Sequence, residues 1–363
     1  MNAVFQRIPY IKYVADYIFP CLLIACLILA IPYFEKIILA RDLCFFGSVV
    51  IIYLLNLILF PENDSLAQIM GTFFVSVFPM YFIGLSFEPS KHFRILHIMS
   101  IINIWAFAVY NLFINSNRLE GIQGTFGSYM GRAYILLPQL LVVIYSLLRK
   151  KSVLNATTGI IGGILLLMCG NRGTIVILLL FIFLNIIFNT NKEKRVYVYA
   201  GAFSIFGIML YFYETLIVFF SQLFLNFGMS VRVFERLYDG TFFESNGRNT
   251  IIEKLTTAIW DNPIIGYGLC SDRTIAGVYA HNYAFELWTA FGVIVGTLIL
   301  AVTICIIVAA WIKSKDTQSK GVLLILICVG FLKLFLSSSF LLEGLFFMLM
   351  GYCITQLRNN KII

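Results

Sequence analysis

Charge is what this sequence has least of. Asp, Glu, Lys and Arg together make up 12% of its 363 residues, where a soluble domain needs about a quarter to cover its surface. A water-soluble globular fold is thereby excluded. The eight cysteines show no metal-ligand spacing. All but Cys270 sit in or at the edge of apolar runs, which excludes a disulfide framework and a zinc site. No Asp-x-Asp occurs, which agrees with the expectation that no metal or other cofactor is used. No internal repeat of 20 to 50 residues and no low-complexity tract is present, so an inverted-repeat transporter gains no support. Nor does a small-residue cleavage site follow Arg7, Lys12 and the apolar run from Ile18 to Phe34. That run reads as a first helix and not as a removable signal.

What the chain has instead is 60% hydrophobic residues. Apolar runs long enough to cross about 30 Å at 1.5 Å per residue fall near 17–34, 43–60, 69–87, 93–114, 129–148, 153–169, 174–189, 196–220, 283–312, 321–338 and 340–357. The expected fold is an all-α, polytopic transmembrane bundle of about eleven spans forming one integral membrane domain over 1–363. The formal net charge of +8 does not point to nucleic acid, because the basic residues cluster in short loops where they set membrane orientation. Arg149 to Lys151, Lys192 to Arg195, Lys313 to Lys320, and Arg358 with Lys361 fall on one face together with Lys36, Arg41, Lys91 and Arg94. That face is expected to be cytoplasmic, which puts the N-terminus outside, against its own two basic residues.

One connection is long. The stretch 221–280 is rich in charge and glycine, and a polar loop of this length between membrane helices is functional or disordered. Within it, apolar residues at 251, 252, 255, 259 and 260 have helical spacing, and Asn262-Pro263 stops the pattern. An amphipathic helix from Arg248 to Trp260 is expected, lying on the membrane or on the bundle, in a partly helical subdomain outside the cytoplasm.

Three polar features stand at that outer face. Arg172 lies in the tight turn Gly170-Asn171-Arg172-Gly173, where it either snorkels to the headgroups or meets an anion. Arg248 opens the amphipathic helix, where a guanidinium fork and helix-end amides bind phosphate, unless the residue is merely a solvated loop charge. His281, in Ala280-His281-Asn282-Tyr283, either exchanges a proton near neutral pH or caps the next helix. Arg132 contributes to an anion site or sits at the headgroups. Arg273 reads as a loop charge or a substrate contact, and Asn282 joins as a substrate contact. Glu214, in an apolar run, is a functional candidate as an intramembrane carboxylate. Lys333 and Glu343 are placed to pair with each other.

Taken in order, the Arg-Gly turn at Arg172-Gly173, the Gly247-Arg248 of the long loop, the turn Asn262-Pro263-Ile264-Ile265-Gly266-Tyr267-Gly268, and His281-Asn282 leading into Phe291-Gly292-Val293-Ile294-Val295-Gly296 resemble the O-antigen polymerase and O-antigen ligase family of bacterial envelope enzymes. The resemblance covers Gly170 to Gly296. It implies a metal-independent glycosyltransferase of the GT-C-like membrane type in the bacterial inner membrane. The implied donor is an undecaprenyl-diphosphate-linked oligosaccharide, with a chain-length regulator and a flippase as further partners. The implied roles place the donor pyrophosphate on Arg172 and Arg248 and the acceptor at His281. The chain departs from the family at Thr289-Ala290, where many members carry an acidic residue.

The chemistry is consistent with those residues. A sugar leaving from a lipid diphosphate develops negative charge that two fixed guanidiniums stabilise, and an attacking hydroxyl needs a base or acceptor, which a neutral imidazole supplies. Polymerase activity in O-antigen or capsule synthesis is the favoured reading. Ligation to the lipid A core is the alternative, and a flippase for the same lipid-linked sugars or a non-catalytic membrane partner are readings of other classes.

Overall fold

The computed structural model describes residues 39–110, 129–189, 204, 211–226, 232–239 and 248–358. The expected first helix at 17–34, the basic loop Lys192 to Arg195, and most of the run 196–220 lie outside them. Every regular element among the described residues is helical. In chain order these are α1 (Ala40–Leu59), α2 (Asp64–Thr72), α3 (Met80–Ser86), α4 (Pro89–Val109), α5 (Tyr129–Arg149), α6 (Val153–Met168) and α7 (Arg172–Asn189). They continue as α8 (Tyr213–Asn226), α9 (Arg232–Tyr238), α10 (Arg248–Asp261), α11 (Ser271–Ala276), α12 (Tyr283–Lys313), α13 (Thr317–Leu326) and α14 (Gly344–Arg358).

Six helical segments among the described residues are long and apolar enough to cross a membrane: Ala40–Leu59, Asp64–Ser86, Pro89–Val109, Gly131–Arg149, Tyr283–Lys313 and Thr317–Phe335. The chain is thus a multi-pass α-helical membrane protein. Two further apolar helices, Val153–Met168 and Arg172–Phe188, are shorter. The expected last run, 340–357, is a short helical turn followed by the 15-residue α14, about 22 Å long at 1.5 Å per residue.

The chain divides into two compact units, 1–21 with 90–244, and 22–89 with 245–363. In the first, α5 is the central helix, its Leu136, Leu137, Leu140, Leu141, Val143 and Tyr145 all buried. Gly162 of α6 lets that helix approach Leu140 of α5 and Ile104 of α4. Two polar ties join α4 to α6, His97 Nε2 to Asn155 Oδ1 at 3.0 Å and Trp105 Nε1 to Thr158 Oγ1 at 3.0 Å. Such ties fix helix rotation where lipid gives no hydrophobic drive for helix association.

The second unit is built on glycine contacts and an aromatic core. A Cβ on Gly84 of α3 would lie 2.1 Å from the Met348 carbonyl oxygen, and one on Gly351 of α14 would lie 2.0 Å from that of Tyr81. Only glycine permits these helices to touch backbone to backbone. Tyr53, Phe73, Phe78, Tyr81 and Phe347 pack beside them. At one end of the unit an Arg358–Asp42 ion pair, a Thr355 Oγ1 to Leu85 O bond of 2.8 Å and a Gln318 Nε2 to Pro89 O bond of 3.1 Å gather the basic termini. At the opposite end Asn63 Nδ2 donates to Tyr267 O at 2.8 Å and Asn56 Oδ1 accepts from Leu269 N at 2.8 Å. These residues of the long loop therefore lie across the unit from its basic end.

The helix that follows the loop is not straight. Gly292 sits at φ 75 and ψ 168 inside α12, a backbone conformation open essentially to glycine alone. Trp288 Nε1 reaches Thr297 Oγ1 at 3.0 Å, although nine residues of straight helix would separate them by about 13 Å. The segment 283–291 is therefore a short helix folded against the start of 293–313. That second stretch alone, at about 31 Å, matches the hydrocarbon thickness. The freed backbone groups are taken by the turn after α10: Tyr267 N donates to Thr289 O at 2.8 Å, Gly268 N to Ala290 O at 2.9 Å, and Val293 N to Pro263 O at 2.7 Å.

Candidate functional site

Helix α10 forms over Arg248–Asp261 as its spacing predicts, burying Leu255 and Ile259 and packing on α11 and α12. Asn262 Nδ2 then donates to Gly266 O at 2.7 Å, closing the turn that seats on Gly292. From there the chain runs through α11 to His281. Two residues of this stretch other than glycine hold left-handed backbones, Cys270 at φ 65 and His281 at φ 54. Each costs on the order of 1 kcal/mol, a strain that the surrounding contacts hold in place.

His281 is half-buried. Its ring lies against Tyr279 with centroids 4.0 Å apart. Nδ1 is buried without a hydrogen-bond partner, which leaves Nε2 as the more accessible ring nitrogen. Burial, reinforced by the Arg248 guanidinium, lowers its pKa to about 4, so the ring is neutral at physiological pH and suited to accept a proton. Removing the guanidinium by Arg248→Ala is expected to move that titration upward, toward the ordinary histidine range. The pH dependence of diethyl pyrocarbonate modification, in protein whose His92 and His97 are replaced, reads the shift directly.

Asn282 serves the fold directly. Its Oδ1 accepts from Ala284 N at 3.0 Å and from Phe285 N at 3.4 Å, capping α12. The cap expected of His281 belongs to its neighbour.

Arg273 is not a solvated loop charge. Its side chain is 13% exposed and faces Asp272, itself 2% exposed, at 3.6 Å. Nη1 donates to Cys270 Sγ at 2.9 Å, and Nη2 is buried with no hydrogen-bond partner. Asp272 ties the loop together, Oδ2 accepting from Ala280 N at 2.7 Å and Oδ1 from Arg273 N at 3.0 Å. Burial holds the Asp272 carboxyl above the usual range, with Arg273 pulling the other way.

Two groups escaped the sequence reading. Glu286, on the first turn of α12 and 3% exposed, is bonded to Ser339 Oγ and accepts from Phe340 N at 3.2 Å. Ser337-Ser338-Ser339 form the other: Ser337 lies near the Tyr279 side chain, Ser338 Oγ donates to Glu343 Oε2 at 3.0 Å, and Ser339 meets Glu286. Lys333 and Glu343 pair as expected. A serine triplet in an apolar stretch was the available signal.

The remaining candidates lie in the first unit. Gly170, at φ 64, turns the chain after α6. Asn171 Oδ1 then accepts from Gly173 N at 2.9 Å and its carbonyl from Thr174 Oγ1 at 2.8 Å, so Arg172 is the first residue of α7. Arg132, near the start of α5, lies within electrostatic reach of Cys169 beside that turn. Both arginines thus gather at one end of the unit. Glu214 is exposed in the first turn of α8, where a carboxylate meets the positive end of the helix dipole.

The second unit also holds a cavity of about 820 Å³, walled mainly by apolar side chains of α1, α12 and α14, from Arg41 and Arg358 at one end to Leu269 and Tyr283 at the other. Comparison with protein-family models, curated proteins and solved structures finds no match.

Proposed function

We propose that this protein is a polysaccharide polymerase, a membrane glycosyltransferase that extends one lipid-diphosphate-linked glycan with another. The observation that carries the reading is the pairing of Arg248 with a neutral His281 at the end of the second unit remote from its basic termini. A guanidinium for phosphate within electrostatic reach of an uncharged imidazole is what a metal-free displacement on a sugar diphosphate requires. In that reaction the acceptor hydroxyl oxygen bonds to the anomeric carbon while the bond from that carbon to the diphosphate oxygen breaks. The hydroxyl proton passes to His281 Nε2, and the lipid diphosphate leaves with the bonding electrons against the guanidinium. The family resemblance gives Arg172 an anion-binding role as well, and the apolar cavity has the lining that an isoprenoid chain needs.

Surface-polysaccharide analysis of a deletion strain tests the reading. Single repeat units on the surface lipid, restored to long chains by the wild-type gene, support the polymerase. Long chains that accumulate on undecaprenyl diphosphate instead identify a ligase, and an unchanged polysaccharide rejects both.

A further inference from the structure

The loop that ends at His281 and the helix that follows it bury two carboxylates. Asp272 and Glu286 are 2% and 3% exposed, and the guanidinium that reaches both, Arg273, stands 3.6 Å from Asp272. Among the described residues, the other titratable groups within reach of Glu286 are Cys270 and Tyr279 from the loop and Tyr283 from its own helix, a thiol and two phenols rather than cations. Lys333 and Glu343, on the segments flanking the serine triplet, form an ion pair with each other. Arg248 faces His281 and Tyr279. Among the described residues these two buried carboxylates thus have one cation within reach of both, and a second full negative charge out of water without a partner is strongly disfavoured. Such a pair keeps a proton.

We infer that Asp272 and Glu286 hold one proton between them, carried by Glu286, and that this proton makes Glu286 the positioning residue that holds the serine turn against the histidine loop. Asp272 is the member that stays ionised, because it has Arg273 and two backbone N–H groups. A protonated Glu286 donates to Ser339 Oγ while its other oxygen accepts from Phe340 N. Ser337, two residues before Ser339, lies near the side chain of Tyr279, whose ring lies on His281. The proton therefore reaches the imidazole through a chain of contacts and touches no substrate. Its loss at alkaline pH leaves two buried anions, loosens the serine turn and frees Tyr279 to move. The link to catalysis rests on the transferase reading given above, whereas the proton itself does not.

Infrared spectroscopy of the purified, full-length protein separates the two. The carbonyl stretch of a protonated carboxylic acid is expected at neutral pH, fading as the pH rises, and absent from Glu286→Gln. Asp42 and Glu343 are in ion pairs and do not supply it. A wild-type spectrum without that band at neutral pH overturns the inference, as does an equal band in Glu286→Gln. In transfer assays Glu286→Gln, whose amide reproduces both hydrogen bonds, is expected to keep activity and lose the alkaline limb of the pH profile. Glu286→Ala is expected to lose at least tenfold at every pH. Equal damage from both, or an unmoved alkaline limb in Glu286→Gln, rejects the positioning role. A wild-type protein that shows the band but transfers no glycan refutes the proposed function and leaves the proton in place.

Discussion

Alanine at position 281 is expected to lower glycan transfer by about 10²- to 10⁴-fold, the usual contribution of a general base, with the protein still present in the membrane. The ring is half-buried at the end of a loop and forms no part of the aromatic core around Phe78 and Phe347. Removing it therefore leaves helix packing in place. The left-handed backbone at this residue complicates alanine, which resists that conformation, so His281→Asn is the better control: asparagine tolerates it but has no titratable ring. The same loss is expected from both. The pH profile carries a second signature. Because the ring must be neutral and its pKa is lowered to about 4, activity limited by this group falls only as the pH drops through about 4. An acid limb at the ordinary histidine value, or an asparagine variant with full activity, would remove His281 from the chemistry.

Much of the fold could be read from the chain because lipid imposes a simple rule: backbone groups must be satisfied within the helix, so a long apolar run becomes one. The runs near 43–60, 93–114 and 129–148 became α1, α4 and α5 with small shifts at their ends. The rule fails where a helix is broken and its backbone is satisfied from elsewhere in the sequence. The run 283–312 reads as one straight span, yet it contains the Gly292 break, whose partners come from Pro263 to Gly268. The site divides in the same way. Arg248 and His281 were legible as polar residues flanking apolar patterns. Glu286 and the serine triplet were not, because their meaning depends on the chain folding so that Glu286 meets Ser339, 53 positions further on. Arg273 was misread for the same reason, since nothing in its local sequence shows that Asp272 and Cys270 draw it inward.

Gly292→Ala is expected to have the largest effect on the folded protein. A Cβ there would lie 2.3 Å from the Ile264 carbonyl oxygen and 2.8 Å from that of Pro263, both backbone atoms that no rotamer change can move. Its φ of 75 with ψ of 168 adds a conformational penalty that glycine escapes. Strain and overpacking together put the loss at about 2–6 kcal/mol, measured as the thermal or denaturant stability of the detergent-purified protein. Relief requires the Pro263–Gly268 turn to leave the helix break, which releases the bonds at Thr289, Ala290 and Val293 and with them the seating of the 283–291 helix. Since that helix carries Glu286 and begins at the His281 loop, stability and transfer should fall together in this variant. Gly163→Ala supplies the contrast: no atom lies within 4 Å of its added Cβ, and alanine within a helix is neutral or favourable by up to about 1 kcal/mol. Equal stability of the two variants would mean that the break at Gly292 is not held by the turn, and the site would lose the element that positions it.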